Sequence, residues 1–199
     1  GPSNVPEAVL RALATPMIGH LDPAFLAILD EVQQSLRSVF RTANPTTLPI
    51  SGTGSAGMEA CLVNLLEPGD QAVIAVQGVF GDRMSQVVER LGAVAIRVEA
   101  EMGEIVPPER LIGAIRSQRP NVVALVHAET STGVVTTIPE ISRAVPDADP
   151  LLIVDAVTSL GGVELRVDDW DIDICYSGTQ KCIGAPPGLA PITLGDGAI

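Results

Sequence analysis

Continuous apolar segments alternate with amphipathic segments over the last two thirds of the chain. The apolar segments have the length and β-branched content of buried strands, and they lie at 71–76, 93–100, 121–128 and 151–156, with two shorter ones within 172–178 and 190–195. The segments between them space apolar residues as helices do, which predicts helices over 82–92, 108–118 and 138–145. We therefore predict an α/β fold, a three-layer α/β/α sandwich with a mostly parallel sheet of about seven strands.

The first 70 residues follow a different pattern. The opening segment, "GPSNVPEAVL", is turn-like, and 23–41 has the apolar spacing of an amphipathic helix. The passage "TTLPISGTGS" is rich in turn residues and leads into an apolar helix at 55–66, which ends at "EPGD". The chain shows no internal repeat, and its 199 residues suit one large domain.

Composition narrows the classes of partner and environment. The chain is 46% hydrophobic with a formal net charge of −12, which argues against a nucleic acid or an anionic membrane as partner. It contains no run of apolar residues long enough to span a membrane and no recognisable signal peptide. The three cysteines, Cys61, Cys175 and Cys182, lack metal-ligand spacing, so we predict a reduced, cytoplasmic protein without a metal site.

Lysine occurs once in the chain, at Lys181, and all other basic residues except the two histidines are arginines. A solvated loop lysine is the ordinary interpretation of such a residue. A desolvated lysine can lose its proton and form an imine, whereas an arginine can do neither. Because arginine supplies the positive charge elsewhere, a covalent role is a second interpretation of Lys181, and both interpretations stay open at this point.

Asp155 follows the apolar run "LLIV", at the carboxyl end of a predicted strand, where ligands of parallel sheets bind. The residue either caps a turn or presents a buried carboxylate to a cationic ring nitrogen. Pyridoxal phosphate needs such a partner for its electron-sink chemistry. Lys181 lies further along the chain, at the end of a strand that is a candidate neighbour.

The segment "SGTGSAG" contains a formal G-x-G-x-x-G. A dinucleotide fingerprint should follow a strand, and an acidic residue should end the next strand. Here a proline-bearing turn precedes the segment, and the next strand ends at Val76 without an acidic residue. A phosphate cup is the other interpretation, because small residues at a helix N-terminus present N–H groups and a favourable dipole to a phosphate.

Two further segments follow strand ends. "QGVFGDR" places Phe80 on a glycine-flanked loop, where it serves either the core or a stack against a flat ring. In "HAETSTG", His127 is structural or catalytic, and the hydroxyls of Thr130 and Ser131 close a turn or bind a ligand. Nucleophile-elbow, HExxH and CxxC motifs are missing from the sequence, which disfavours hydrolase and metal interpretations.

Together these segments resemble the class V aminotransferases, in the fold-type-I group of pyridoxal-phosphate enzymes, and among them the alanine–glyoxylate and serine–glyoxylate (serine–pyruvate) aminotransferases. The resemblance is carried, in chain order, by "GPSNVP", "SGTGSAGMEA", "EPGD", "GVFGDR", "HAETSTG", "VDAVTSLGG" and "YSGTQKCIGAPPGLAP". The family continues into a small C-terminal domain. The resemblance therefore implies that 1–199 is the large cofactor-binding domain, with an N-terminal arm and helix over 1–45 and the cofactor domain over 46–199.

The resemblance also implies roles for individual residues. Lys181 would form an imine with the cofactor aldehyde and move the proton at the substrate, while Asp155 would pair with the pyridinium nitrogen. Phe80 and Val157 would contact the two faces of the ring. The remaining cofactor contacts would come from Thr53, Gly54, Ser55 and Gln180 at the phosphate and from Thr130 at the ring hydroxyl.

The implied reaction is a ping-pong transamination from a small amino acid, alanine or serine, to a small 2-oxo acid, glyoxylate or pyruvate. The implied assembly is a homodimer. Rivals on the same fold are a pyridoxamine–pyruvate aminotransferase, which the phosphate cup with Gln180 disfavours, and a cysteine desulfurase-like lyase. For the lyase, Cys182 is expected to be a packing residue and Cys61 lies in a predicted helix. A non-catalytic scaffold and, more distantly, a dinucleotide oxidoreductase are rivals of other classes.

Overall fold

A computed structural model describes residues 1–145 and 150–199. Its strands are β1 (Thr46–Ser51), β2 (Gln71–Val76), β3 (Val94–Glu99), β4 (Val122–Val126), β5 (Leu151–Asp155), β6 (Ile174–Tyr176) and β7 (Leu189–Leu194). Its helices are α1 (Glu7–Leu13), α2 (Pro23–Phe40), α3 (Gly54–Leu65), α4 (Val79–Arg90), α5 (Pro108–Gln118) and α6 (Ile138–Ser142), with a 3-10 turn at Asp196–Ala198. The strands form one seven-stranded sheet in the order β1-β7-β6-β5-β4-β2-β3.

The sheet is mostly parallel and carries a hydrophobic cluster on each face. Strand β7 runs against both of its neighbours, and the other described strands share one direction. Val73 and Leu125 belong to one cluster and Ile74 and Ala124 to the other, because successive side chains of a strand point to opposite faces. Helices α2, α5 and α6 contribute to the first cluster and α3 and α4 to the second. The predicted three-layer α/β/α sandwich is therefore confirmed.

Two elements near the N-terminus differ from the prediction. The turn-rich passage is in its first half the edge strand β1, which pairs antiparallel with β7. Proline and glycine argued against a strand there, but a sheet edge tolerates a residue without an N–H, and Pro49 lies opposite Pro191. The turn-like opening segment contains the short helix α1, none of whose residues is buried.

Helix α4 also begins earlier than predicted. It starts at Val79, so Phe80 lies in the first helical turn and not on a loop. Helix α6 ends at Ser142, three residues before the predicted end, and is followed by a turn. Glycines at 78 and 81 concealed the helix start, since glycine favours loops in the absence of tertiary contacts.

The order of the strands marks one edge of the sheet as the expected ligand site, and we call this edge the crevice. Strands β2, β4, β5 and β6 lie side by side and parallel, so their carboxyl ends meet at that edge. From β2 the chain continues outward to the edge strand β3, and it then returns to the other side of β2 to form β4. The strand order therefore reverses between β2 and β4. The crevice at such a reversal is the usual ligand site of open α/β sheets.

Among the described residues, no helix is long and apolar enough to cross a membrane, and no three histidine, cysteine or acidic side chains are grouped as metal ligands.

Helix α4 approaches β2 so closely that position 81 has no room for a side chain. A Cβ at Gly81 would lie 2.6 Å from the carbonyl oxygen of Ala75 and 3.0 Å from the Cα of Val76. We expect Gly81→Ala to lower the free energy of unfolding by about 1–3 kcal/mol, because backbone atoms would have to move. The matched control is Gly113→Ala in α5, where a Cβ would meet no described atom within 4 Å. That change should raise stability by about 0.5–1 kcal/mol. Urea denaturation measures both, and a Gly81→Ala protein as stable as the wild type would contradict the close approach.

Candidate active site

Asp155 ends β5 as a buried carboxylate with only 2% of its surface exposed. Its Oδ1 accepts the Val157 N–H at 2.9 Å, and its Oδ2 accepts the Tyr176 hydroxyl at 2.8 Å. Burial raises the pKa of Asp155 to about 6 against the opposing effect of these two hydrogen bonds; the charge of Glu129 raises it further and that of Lys181 lowers it. The carboxyl is therefore ionised and desolvated at neutral pH, which suits a cationic partner.

Lys181 follows β6, the parallel neighbour of β5, so the predicted neighbour relation of the two strands is confirmed. The lysine is half-buried. Because Asp155 and Tyr176 pair in parallel register, the segment that carries Lys181 leaves the sheet at the same edge as Asp155. The charge of Lys181 has the smallest effect on the pKa of Asp155, which it lowers.

The N-terminal segment packs against this lysine. A Cβ at Gly1 would lie 3.1 Å from both the Cδ and the Nζ of Lys181. The Ser3 N–H donates to the Gln180 carbonyl at 2.8 Å, and the Ser3 hydroxyl donates to the Lys181 carbonyl at 2.5 Å. The motif "GPSNVP" carried the resemblance without a role for its residues; the fold shows that they hold the lysine loop.

The N-terminus of α3 lies against the loops that carry Val157 and Gln180. A Cβ at Gly54 would lie 2.5 Å from the Cγ2 of Val157. A Cβ at Gly178 would lie 2.8 Å from the Oε1 of Gln180 and 3.4 Å from the Gly54 nitrogen. Thr53 is the N-cap, but within the described chain its side chain makes no capping bond. The first N–H groups of α3 are therefore left for another acceptor.

An arginine joins this helix terminus to the aromatic residue of α4. The Arg83 guanidinium donates to the Ser55 hydroxyl at 3.2 Å, and its Cζ lies 5.3 Å from the centroid of the Phe80 ring. Phe80 is half-buried and packs on the α3–α4 side of the core. The sequence prediction missed Arg83, although its i,i+3 spacing from Phe80 on a helix was the available signal.

The residues around the α3 terminus fit a phosphate. The Oε1 of Gln180 is buried and has no hydrogen-bond partner among the described residues. That oxygen is an acceptor and needs a donor, whereas a phosphate offers acceptor oxygens. The fit to a phosphate therefore rests on the unshared N–H groups of α3 and on the Gln180 N–H2 group, all of which can donate. Glycines at 54 and 178 allow Val157 and Gln180 to lie against the α3 terminus, because a Cβ at either position would collide with these side chains.

The remaining sequence candidates follow strands β1 and β4. Thr53, between β1 and α3, and Thr130, on the loop after β4, are both exposed. His127 is buried, with its Nδ1 2.9 Å from the Ser159 Oγ and the Trp170 ring edge-on at 6.0 Å between centroids. Burial lowers the pKa of His127 to about 4, so the imidazole is neutral and serves a structural role.

The cysteines offer no activated thiol in the core. Burial raises the pKa of Cys61 to about 12 and that of Cys175 well above its usual range. Reactive cysteines need the opposite shift. Cys182 is exposed and donates to the Thr158 carbonyl at 3.4 Å, so the expectation that it is a packing residue was wrong.

These positions separate the site from a dinucleotide site. The glycine segment follows the edge strand β1 and not the first strand of a Rossmann unit, and β2 ends without an acidic residue. An amine and a desolvated carboxylate after neighbouring parallel strands, with an uncapped helix N-terminus near them, instead fit the fold-type-I class of pyridoxal-phosphate domains. Within that class the chain belongs to the aminotransferase class-V family, whose model matches residues 3–194.

Comparisons with individual proteins agree with the family. The chain is 44% identical over 193 residues to the (S)-ureidoglycine–glyoxylate transaminase of Bacillus subtilis, which covers 97% of this chain and 46% of that protein. It is 40% identical to the alanine–glyoxylate aminotransferase of Drosophila melanogaster, over 100% of this chain and 51% of that one. A solved alanine–glyoxylate aminotransferase from Nostoc sp. superposes with a TM-score of 0.96 at 45% identity, covering 100% of this chain and 52% of the other. The chain spans about half the length of the curated relatives it matches.

Proposed function

We propose that this protein is a pyridoxal-phosphate-dependent aminotransferase that moves an amino group from a small amino acid, alanine or serine, to a small 2-oxo acid, glyoxylate or pyruvate. The observation that carries the proposal is that the buried carboxylate of Asp155 and the loop of Lys181 leave parallel neighbouring strands at one edge of the sheet, near the α3 terminus. The names of the similar proteins include glyoxylate as the amino acceptor, which supports the choice of a small oxo acid.

The chain's own residues divide the chemistry between them. Pyridoxal phosphate would supply an electron sink for the charge that develops at the substrate Cα. Asp155 would keep the ring nitrogen protonated through a charge-assisted hydrogen bond, while Tyr176 and the Val157 N–H hold the carboxylate in place. Lys181 would bind the aldehyde carbon reversibly and, once the substrate amine has displaced it, would carry the proton at Cα.

The other predicted contacts surround this pair. The proposal assigns the phosphate to Thr53, Gly54, Ser55 and Gln180, the two ring faces to Phe80 and Val157, and the ring hydroxyl to Thr130. The half-buried position of Phe80 beside Ser55 and Arg83 supports its assignment. Thr53 and Thr130 are both exposed, so the chain does not bury them away from a ligand.

(S)-ureidoglycine is a second candidate for the amino donor, because a transaminase named for that substrate is 44% identical to this chain. A lyase with a cysteine nucleophile would have to use Cys182, the one exposed cysteine of the three, since burial raises the pKa of both Cys61 and Cys175. The phosphate cup argues likewise against the unphosphorylated vitamer of a pyridoxamine–pyruvate aminotransferase.

A visible spectrum tests the function directly. Protein expressed from its full reading frame and loaded with pyridoxal phosphate should change its cofactor absorbance on addition of an amino donor and recover it on addition of glyoxylate. Alanine, serine and (S)-ureidoglycine are compared in parallel. A protein that takes up no cofactor would overturn the proposal, and one that binds cofactor but responds to no donor would favour the non-catalytic scaffold.

Gly54→Ala is expected to weaken affinity for the cofactor by about tenfold. Overpacking at this position would displace neighbouring groups of the site at a cost of about 1–3 kcal/mol. The added methyl would lie 2.5 Å from the Cγ2 of Val157, so either that side chain or the α3 terminus must move. Titration of the cofactor-free protein with pyridoxal phosphate measures the change. Gly113→Ala, remote from the crevice, should bind normally, and equal affinities for the two variants would show that the α3 terminus does not bind phosphate.

We also propose a homodimer, built on the N-terminal segment. Leu10, Leu13, Met17 and Leu21 are 51%, 63%, 100% and 77% exposed, and α1 buries no residue against its own chain. An apolar surface of this kind marks an interface, and a second copy of the chain is the occupant that the family resemblance implies. Leu10→Asp with Leu13→Asp should shift the sedimenting species from dimer to monomer, whereas the exposed Met102→Asp should not. A wild-type protein that sediments as a monomer would contradict this interface, and so would a Leu10→Asp, Leu13→Asp double variant that stays dimeric.

A further inference from the structure

Glu129 is a buried carboxylate in the crevice that has no part in the proposed chemistry. It is 1% exposed and lies on the loop after β4. Its Oε2 accepts the N–H groups of Phe80 at 3.1 Å and of Gly81 at 3.4 Å. Its Oε1 accepts the N–H of Ser131 at 3.1 Å and the hydroxyl of the same residue at 2.7 Å. Both oxygens are thus paired with donors, as a buried carboxylate requires.

Helix α4 depends on this carboxylate because it has no capping side chain of its own. Its N-cap is Gly78, and the described chain supplies no side-chain cap from that position. A Cβ at Gly78 would lie 2.4 Å from both the Glu129 Cγ and the Ser131 Oγ, so the glycine makes room for the approach. The Ser131 hydroxyl also accepts the Val79 N–H at 2.9 Å. The loop after β4 therefore holds the first turn of a helix that follows β2.

We propose that Glu129 is a positioning residue, which places Phe80 against the cofactor ring by capping α4 from the loop of the neighbouring strand. The inference rests on the proposed function, since it assigns Phe80 to the ring. The contact spans the chain reversal between β2 and β4, where two separate loops have to be held in register for a shared ligand. An anion at a helix N-terminus is also favoured by the helix dipole.

Glu129 has a second effect, on Asp155, because its negative charge raises the pKa of that carboxyl. Lys181 acts in the opposite direction. The other titratable groups acting with Asp155 are neutral at pH 7 because their pKa values are raised: Cys61 on α3, Cys175 and Tyr176 on β6. Loss of the Glu129 charge should therefore make Asp155 easier to ionise.

The first test compares cofactor affinity among variants of the full-length protein. Glu129→Gln leaves one pair of donors facing an N–H2 group, and we expect affinity for pyridoxal phosphate to fall about tenfold, as for the loss of one charge-assisted hydrogen bond. Glu101→Gln removes the same charge from an exposed side chain. Asp173→Asn removes a carboxylate that accepts the Leu152 N–H at 2.7 Å, away from the crevice. Both controls should bind within about twofold of the wild type.

The second test is the pH dependence of that affinity, which a purely structural role would not move. In the wild type, affinity should fall as pH drops through about 6, where Asp155 takes up a proton. In Glu129→Gln this loss should occur at lower pH. Glu129→Asp keeps the charge but shortens the side chain, so it should weaken binding while leaving the position of the loss nearly unchanged.

The third test needs no cofactor. Hydrogen exchange of the 79–82 amides in the cofactor-free protein should be faster in Glu129→Gln and unchanged in both controls. If Glu129→Gln exchanges and binds as the wild type does, the inference is wrong even though the enzyme works. If the wild type binds no cofactor, the proposed function fails and the role of Glu129 toward the ring fails with it, whatever the exchange rates show.

Discussion

Replacing Lys181 with alanine is expected to abolish covalent attachment of the cofactor and to lower kcat by about a thousandfold or more. The proposed mechanism uses this one amine twice, as the anchor of the aldehyde and as the carrier of the proton at Cα. No other lysine occurs in the 199 residues, so no neighbouring amine of this chain can take over either role. Borohydride reduction followed by mass spectrometry of the intact protein measures attachment, and steady-state kinetics measure turnover.

Lys181→Arg is the matched control, because it keeps a positive charge near Asp155 but cannot form an imine. We expect it to be as inactive as Lys181→Ala. The noncovalent affinity for the cofactor should differ between the two variants, because only the alanine variant loses the positive charge that lowers the pKa of Asp155. An alanine variant that still showed lysine-type cofactor absorbance and turned over would rule out the role of Lys181.

Asp155→Asn is expected to stabilise the cofactor-free fold and to lower kcat by about 100–1,000-fold. Burial raises the pKa of Asp155 to about 6 from an ordinary 3.8, so the ionised carboxyl is less favourable in the folded protein than in the unfolded chain. Keeping this group ionised at neutral pH therefore costs on the order of 3 kcal/mol, which asparagine avoids. The amide oxygen can still accept the Val157 N–H, and the Tyr176 hydroxyl can accept from the amide N–H2. The neutral amide cannot hold a protonated ring nitrogen by charge, so activity is lost.

The pH dependence of unfolding shows whether the protonated or the ionised form of Asp155 stabilises the fold. A folded pKa above the unfolded one contributes stability that is present below pH 3.8 and is lost as pH rises through about 6. His127 works in the opposite direction: its pKa is lowered to about 4 from 6.5, so acid destabilises the fold in that range. The difference between Asp155→Asn and wild type isolates the Asp155 contribution. Thermal unfolding from pH 4 to 8 measures it, and a variant with wild-type turnover would show that Asp155 is not the ring partner.

The sheet was predictable because its signal is local. Central strands such as β4 and β5 are continuous apolar runs, and a strand buried on both faces needs nothing else to be recognised. The edge strand β1 was missed because Pro49 is acceptable only at an edge, and edge position is a property of the assembled sheet. The start of α4 was missed for a similar reason, since its cap comes from Glu129 on another loop.

The candidate site was predictable where a residue type carries its own chemistry. Lys181 and Asp155 were identified from a unique amine and from an acid after an apolar run. Arg83 and Tyr176 were not identified, because a guanidinium and a phenol commonly have structural roles. Only their hydrogen bonds to Ser55 and Asp155 show that they belong to the site. The homodimer and the cytoplasmic location stay predictions.

By itself, then, the sequence determined the α/β class, the family and the candidates for covalent and acidic chemistry, because short segments contain the periodicity, the motif order and the functional groups. The tertiary structure decided which groups meet: the Ser3 N–H bonds to the Gln180 carbonyl, and the Glu129 carboxylate reaches α4. It also decided the burial that raises the pKa of Asp155. Burial and contacts between distant segments arise only when the strands pack into one sheet, so no local pattern encodes them.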